Sequence, residues 1–263
     1  MVLVLGGNDP SGGAGLAADV QAIARLGAHP APVVTAVTVQ DSGGVQGFRP
    51  LAPEEVLAQA RAVFADLPVA AVKTGMLATP ACAAACALLL DEHPGLPLVV
   101  DPVLAAGGGG ALAESGLADA LRSLLVPRAR LLTPNREELR RLAPEGNGLG
   151  PRARALLGAG AGAVYVTGAD GTGGEGITHH LFTAEGETLE ITCERLPGRY
   201  HGSGCTLAAA AAALLARGRG LPAAVREAQD YTWQSLRHGF RAGRAQAFPD
   251  RLWDCRRGPR GHD

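Results

Sequence analysis

Several things that would assign a chain to a class at once are missing from these 263 residues. No charge of one sign dominates: 24 Lys and Arg stand against 25 Asp and Glu, a formal charge of −1, and that balance argues against a nucleic-acid binder, which usually carries a basic excess. No apolar run is long enough for a bilayer; the longest, residues 207–216, is about half of what a spanning helix needs. The first seven residues lack the basic start and long apolar segment of a signal peptide, so none is expected. Cysteines are few and odd in number, at 82, 86, 193, 205 and 255, and no pair has zinc-finger spacing. Cys82 and Cys86 lie one helical turn apart in an alanine-rich stretch and read as packing residues of a reduced, cytoplasmic protein. Aromatic residues make up only 4%, against abundant glycine and alanine, a bias that genomic base composition produces as readily as function does. There is no internal repeat and no second apolar core. One domain over residues 1–255 is therefore expected, followed by a patternless polar tail over 256–263 that reads as disordered.

What is present is a regular alternation. Short apolar runs at 2–7, 33–39, 69–74, 98–101, 130–133 and 163–167 predict strands. Between them, 15–26, 53–66, 80–90, 113–125 and 136–143 have helical patterns. Continuous apolar strands separated by helices predict an α/β fold, with a mostly parallel central sheet and helices on both faces. Two stretches depart from alternation. Residues 177–184 and 187–195 read as a small β-hairpin excursion about Glu185-Gly186, after a flexible loop at 168–176, and 143–151 reads as a Gly/Pro/Asn linker. Two helices, at 207–217 and 222–239, close the chain.

Right-handed crossovers place the C-terminal ends of parallel strands on one edge of the sheet, and the chemistry-bearing stretches all begin where a predicted strand stops. Gly6-Gly7-Asn8-Asp9-Pro10-Ser11-Gly12-Gly13-Ala14-Gly15 follows the first strand and lets a flat substrate approach the backbone; its spacing fits neither the dinucleotide fingerprint nor a Walker loop. Asp19, one turn into the next helix, is either a substrate-binding carboxylate or a solvated first-turn acid. Gln40 follows the second strand and offers both a donor and an acceptor to a heterocycle edge. Lys73-Thr74-Gly75-Met76 follows the third, with Met76 as an apolar wall. Asp101-Pro102-Val103 follows the fourth, and Thr133-Pro134-Asn135-Arg136-Glu137-Glu138 the fifth. Asp101 and Glu138 supply hard oxygen ligands suited to a magnesium ion, although Glu138 read alone is an exposed helix acid and Asn135 a helix cap. The sixth predicted stretch is His201-Gly202-Ser203-Gly204-Cys205-Thr206, opening an almost pure alanine helix. Its amide N–H groups and the positive helix end make an anion site, and the same dipole is expected to lower the Cys205 thiol toward neutral pH.

Taken in order and spacing, these motifs resemble the ribokinase-like superfamily and, within it, the hydroxymethylpyrimidine/phosphomethylpyrimidine kinases of thiamine biosynthesis, from residue 2 to about residue 253. The resemblance implies a kinase that uses ATP and Mg²⁺ and works as a cytoplasmic homodimer, without nucleic-acid or membrane partners. It implies that Asp19 and Gln40 hydrogen-bond an aminopyrimidine while Gly7, Ala14, Met76 and Val103 surround its ring. Gly202, Ser203 and Gly204 then donate backbone N–H groups to the transferring phosphoryl group, and Cys205 stands where most of the superfamily has a catalytic aspartate. Asp101, Asn135 and Glu138 organise the metal and the nucleotide phosphates, with Thr167 on the nucleotide side. One departure stands out: many members have Lys-Gly-Gly-His where this chain has Thr167-Gly168-Ala169-Asp170. The alternatives are a pyridoxal kinase and, from another class, a non-catalytic sensor of pyrimidine or nucleotide.

Overall fold

Four successive apolar residues at the start of the chain can all be buried only in a strand covered on both sides. In the computed structural model, which describes residues 1–105, 112–168 and 176–255, they lie in β1 (Val2–Asn8). Leu3 and Leu5 face one apolar core, Val2 and Val4 another. The chain continues through α1 (Gly15–Arg25), β2 (Pro30–Asp41), β3 (Gly44–Pro50), α2 (Pro53–Asp66), β4 (Ala71–Thr74) and α3 (Pro80–Glu92). Then come β5 (Leu98–Val100), α4 (Leu117–Ala120), β6 (Leu131–Leu132), α5 (Arg136–Leu142), α6 (Leu149–Gly158) and β7 (Ala163–Val166). The last elements are β8 (Gly176–Thr183), β9 (Gly186–Glu194), α7 (Ser203–Ala216) and α8 (Leu221–Arg237).

All the strands share one sheet in the order β3-β2-β1-β4-β5-β6-β7-β8-β9. From β2 to β7 the neighbours are parallel, and antiparallel pairs close both ends. Residues of α2, α3, α5 and α6 fill the core on one face, with Cys82 and Cys86 buried among them. Residues of α1, α7 and α8 fill the other. Because β2 is reached from β1 in one direction and β4 lies on its opposite side, chain direction across the sheet reverses between β1 and β4. Such a switch point leaves a crevice at the strand ends, the usual ligand position in open α/β sheets.

Several expectations need correction. The second strand runs on through Gln40 and Asp41 and pairs with β3, which the sequence reading did not anticipate. The pair 176–183 and 186–194 extends the central sheet at its far end. The helix expected over 113–125 begins only at Leu117, and after Ala120 it widens into a π turn (Leu121–Leu125) and tightens into a 3-10 turn (Val126–Arg128). The supposed linker at 143–151 already contains the first turn of α6, whose Pro151 occupies an early position where no intrahelical N–H is needed. The tail at 256–263 and most of the 168–176 loop lie outside the described residues.

The alanine run of α7 has a packing reason. Residues 208–213 are all buried, between α1 and α8 on the sides and β4 and β5 beneath. Small side chains let this helix sit close to the sheet, which brings its N-terminus up to the strand ends. Ala210→Leu should therefore overpack the layer and lower stability by about 1–3 kcal/mol, checked by urea denaturation at neutral pH.

Candidate active site

The loop after β1 is shaped by one carboxylate. Asp9 accepts the Ser11 N–H and hydroxyl and the Ala14 N–H, each at 2.8 Å, and its Oδ2 lies 3.0 Å from Nε2 of His201. Burial would raise the Asp9 pKa, but the His201 contact and the Ser11 and Ala14 hydrogen bonds outweigh it and hold it at about 2. Asp9 thus folds the first glycine loop into a turn and ties it to the residue that precedes the second. Gly7, in β1, lies against Met76, since a Cβ there would stand 2.8 Å from the Met76 sulfur. Met76 in turn packs with Ala36, Ala78 and Leu112, and Val45, Phe48 and Val103 lean on the same small cluster. The structure therefore brings Gly7, Met76 and Val103 together into one apolar patch. Gln40 stands in β2 opposite Val45, beside a bulge that interrupts the β2–β3 register.

Behind that patch lies a buried charge cluster. Lys73, on β4, and Asp19, on α1, are each 1% exposed, and Lys73 Nζ lies 3.0 Å from both Asp19 oxygens. Asp101, at the end of β5, has its Oδ2 3.8 Å from the same nitrogen. Asp19 is thus neither solvated nor a lone substrate ligand; it is half of an ion pair across the β1/β4 crevice. Burial lifts the Asp19 carboxyl to about 6, with Lys73 pulling it back only in part. Burial acts downward on Lys73, but Asp19, Cys205 and Asp101 together hold its ammonium above the usual lysine range. Both members are charged at neutral pH. Asp101 is pushed up by burial, Lys73 and a hydrogen bond with Cys205 opposing, and its Oδ2 has no hydrogen-bond partner.

The second glycine turn meets this cluster from the other side. Gly202 caps α7 with φ 75° and ψ 20°, a left-handed conformation that favours glycine. A side chain there would also run into the Gly13 carbonyl and come within 2.9 Å of Ala14 Cα. Ser203, Gly204 and Cys205 form the first turn of α7, with unpaired N–H groups at its positive end. A Cβ on Gly204 would lie 3.9 Å from Asp101 Oδ1. Cys205 does not meet the expectation of a thiol lowered toward neutral pH. Burial and the Asp101 carboxylate push it up to about 12, against the downward pull of Lys73 and the Gly15 N–H. The thiol keeps its proton at neutral pH because desolvation and the neighbouring carboxylates outweigh Lys73 and the Gly15 N–H.

Further along the strand ends, Asn135 caps α5 by accepting the Glu138 N–H at 2.8 Å, while Glu138 accepts the Asn135 N–H at 2.9 Å. Thr167 bridges to Asn135 and donates its N–H to the Pro134 carbonyl at 3.0 Å. Asn135, Glu138 and Thr167 are thus assembled as a second cluster at the ends of β6 and β7. Ala169 and Asp170 of the altered Lys-Gly-Gly-His position lie outside the described residues. Among the described residues no group of three or more His, Cys, Asp or Glu converges as a ready-made metal cage.

Sequence reasoning missed three participants. Lys73 stood in a quoted motif but was given no role. His201 stood at the edge of a quoted motif without a role, Arg251 stood in none, and both act through partners about two hundred residues away.

The sequence profile of the phosphomethylpyrimidine kinase family matches residues 9–249. A hydroxymethylpyrimidine/phosphomethylpyrimidine kinase of Streptomyces coelicolor is 38% identical over 258 residues, covering 96% of this chain and 94% of its own. A bifunctional thiamine biosynthesis protein of Geobacter sulfurreducens is 36% identical over 247 residues, 92% of this chain and 50% of that protein. Among solved structures, an ADP complex of Bacillus subtilis pyridoxal kinase superposes with a TM-score of 0.87 at 26% identity, covering 95% of this chain and 97% of that one.

Because the folded-state pKa of Asp9 is depressed, its contribution is present above the unfolded value near 3.8 and is lost as pH falls toward 2. Asp9→Asn should lower stability at pH 7 by as much as about 2 kcal/mol. In urea denaturation repeated across pH, the gap to wild type should close between pH 4 and 2.

Proposed function

The chain belongs to the phosphomethylpyrimidine kinase family, and we propose that it phosphorylates the alcohol of 4-amino-5-hydroxymethyl-2-methylpyrimidine with ATP, then the resulting monophosphate, in thiamine biosynthesis. The observation that carries this reading is the meeting, at one sheet switch point, of an apolar heterocycle patch, a buried Asp19–Lys73–Asp101 cluster and the glycine-capped N-terminus of α7. By the family resemblance it works as a cytoplasmic homodimer.

In this reading the ring lies against Met76 and Val103, with the backbone of Gly7 and Ala14 on its open side. Asp19 accepts from the amino group and Gln40 pairs with the ring edge. Lys73 keeps Asp19 ionised for that task. The amides of Gly202, Ser203 and Gly204 point where charge gathers on the transferring phosphoryl group, and fixed donors of this kind cost no reorganisation during reaction. The buried Asp101 oxygen that accepts no hydrogen bond suits a hard cation, and Asp101 and Glu138 would hold Mg²⁺ together with water and phosphate oxygens. When bound, Mg·ATP supplies the phosphoryl group and a divalent charge against its oxygens. Asn135 and Thr167 lie on the nucleotide side. Transfer proceeds through a loose transition state in which the alcohol keeps its proton until late. A thiol that starts protonated and hydrogen-bonded to Asp101 is compatible with that order: Cys205 orients the alcohol first and, as charge develops, accepts the hydroxyl proton while passing its own to the Asp101 carboxylate.

Pyridoxal kinase is the second reading, favoured by the structural likeness to the Bacillus subtilis enzyme. It also needs a flat pocket and a primary alcohol. The deciding assay is ADP release with Mg·ATP on hydroxymethylpyrimidine, its monophosphate and pyridoxal. Turnover on the first two is expected; preference for pyridoxal transfers the reading to the alternative, and silence with ligand still bound leaves a sensor. In the same assay Cys205→Ala is expected to lose about 10²–10⁴ of kcat while remaining folded, and near-wild-type turnover would remove Cys205 from the mechanism.

A further inference from the structure

Arg251 lies beyond α8, outside every motif at the strand ends. It is 2% exposed, the largest of the fully buried side chains. Its guanidinium spreads across three elements: Nε donates to Thr206 Oγ1 in the first turn of α7 at 2.8 Å, Nη2 to the Gly13 carbonyl at 2.5 Å, and Nη1 to Gln21 Oε1 on α1 at 3.3 Å. These hydrogen-bond acceptors are all neutral; Asp9 and Asp19 are near enough to interact with the cation but are not bonded to it. Its own carbonyl is fixed by the Tyr231 hydroxyl at 2.9 Å. Thr206 in turn donates to the Gly202 carbonyl at 2.8 Å, and a Cβ on Gly202 would lie 2.9 Å from Arg251 Nη2. The neighbouring chain repeats the pattern: Phe248 packs beside His201 and reaches within 3.0 Å of a Cβ built on Gly13, and the His201 N–H donates to the Ala247 carbonyl at 2.9 Å.

A buried cation on three neutral acceptors is expensive to desolvate, and a fork of donors shared by two glycine turns fixes their mutual distance in a way one contact does not. On the kinase reading of the site, one of those turns faces the pyrimidine and the other receives the phosphoryl group. We propose that Arg251 is a positioning residue for phosphoryl transfer, holding the Gly13 loop and the first turn of α7 in register so that the alcohol and the phosphoryl-receiving amides meet in line. Its effect falls on kcat, because each substrate still finds its own turn while their alignment is lost.

The test is steady-state kinetics with hydroxymethylpyrimidine and ATP for wild type, Arg251→Lys and Arg251→Ala, with a thermal melt of each. Lysine keeps the charge but not the fork. Arg251→Lys is expected to melt cooperatively and to lose about 10- to 100-fold in kcat, with KM for both substrates within about threefold. Sub-denaturing guanidinium chloride, which supplies the missing fork, should restore part of the kcat of Arg251→Ala and none of that of wild type. An unchanged kcat in Arg251→Lys, or a loss no larger than its unfolded fraction, would overturn the proposal, and so would a rise in KM at constant kcat. If Arg251→Lys fails to fold, Thr206→Val removes the α7 acceptor together with the hydroxyl's own bond to the Gly202 carbonyl; a kcat loss of about three- to tenfold is expected, and none would overturn the proposal. Wild type silent on both pyrimidine and pyridoxal defeats the kinase reading and this proposal with it. An active wild type with unaltered variants defeats only the role of Arg251.

Discussion

The ion pair between Lys73 and Asp19 is the contact around which the rest of the site is arranged. It joins strand β4 to helix α1, which belong to different connections, and both side chains are buried. Two charges in such a place lose several kcal/mol of hydration each, and their attraction returns that only when the geometry is good and further polar partners are at hand. A pair of apolar residues of similar volume would fill the same space at less cost to stability. Retaining the pair makes physical sense where a carboxylate must be ionised and fixed before a ligand arrives, and where a third charge, Asp101, is held close by on the adjoining strand. One lysine thereby sets the electrostatics of Asp19 and Asp101 together.

The layer above the sheet serves the same end by different means. An alanine helix buries little area per residue, so α7 is a poor choice for stability and a good one for closeness. Close approach carries its N-terminus to the strand ends, and a left-handed glycine cap turns the amides toward the space in front of Asp101. The apolar wall around Met76 and the capped start of α5 complete the rim from either side.

Much of this was legible before any coordinates. The both-faces-buried pattern of the first strand, the alternation of elements and the position of each motif at a strand end led to the right architecture and to one edge of it. What escaped was nonlocal or disguised. Strand β3 contains Gly44, Gly47 and Pro50 and is half-buried on average, so it carries little period-two signal. Helix α6 hides its start in Gly148-Leu149-Gly150-Pro151, a composition that reads as a linker until proline is placed in the first turn. The state of Cys205 was misjudged because a helix dipole can be inferred from neighbouring residues, whereas burial and the Asp101 carboxylate come from a strand a hundred positions earlier. His201 was quoted only as the flank of a motif, although its ring is what fastens the two glycine turns through Asp9.

The contact between Arg251 and the Gly13 carbonyl joins residues 238 positions apart. A ribosome adds roughly 5–20 residues per second, so the first glycine loop leaves it about ten to fifty seconds before the guanidinium that clasps it has been made. Through that interval the first strand exists without the fork that sets its loop. A nascent chain can therefore begin to gather its sheet early, but it cannot acquire the finished spacing of its two glycine turns until residue 251 has been made.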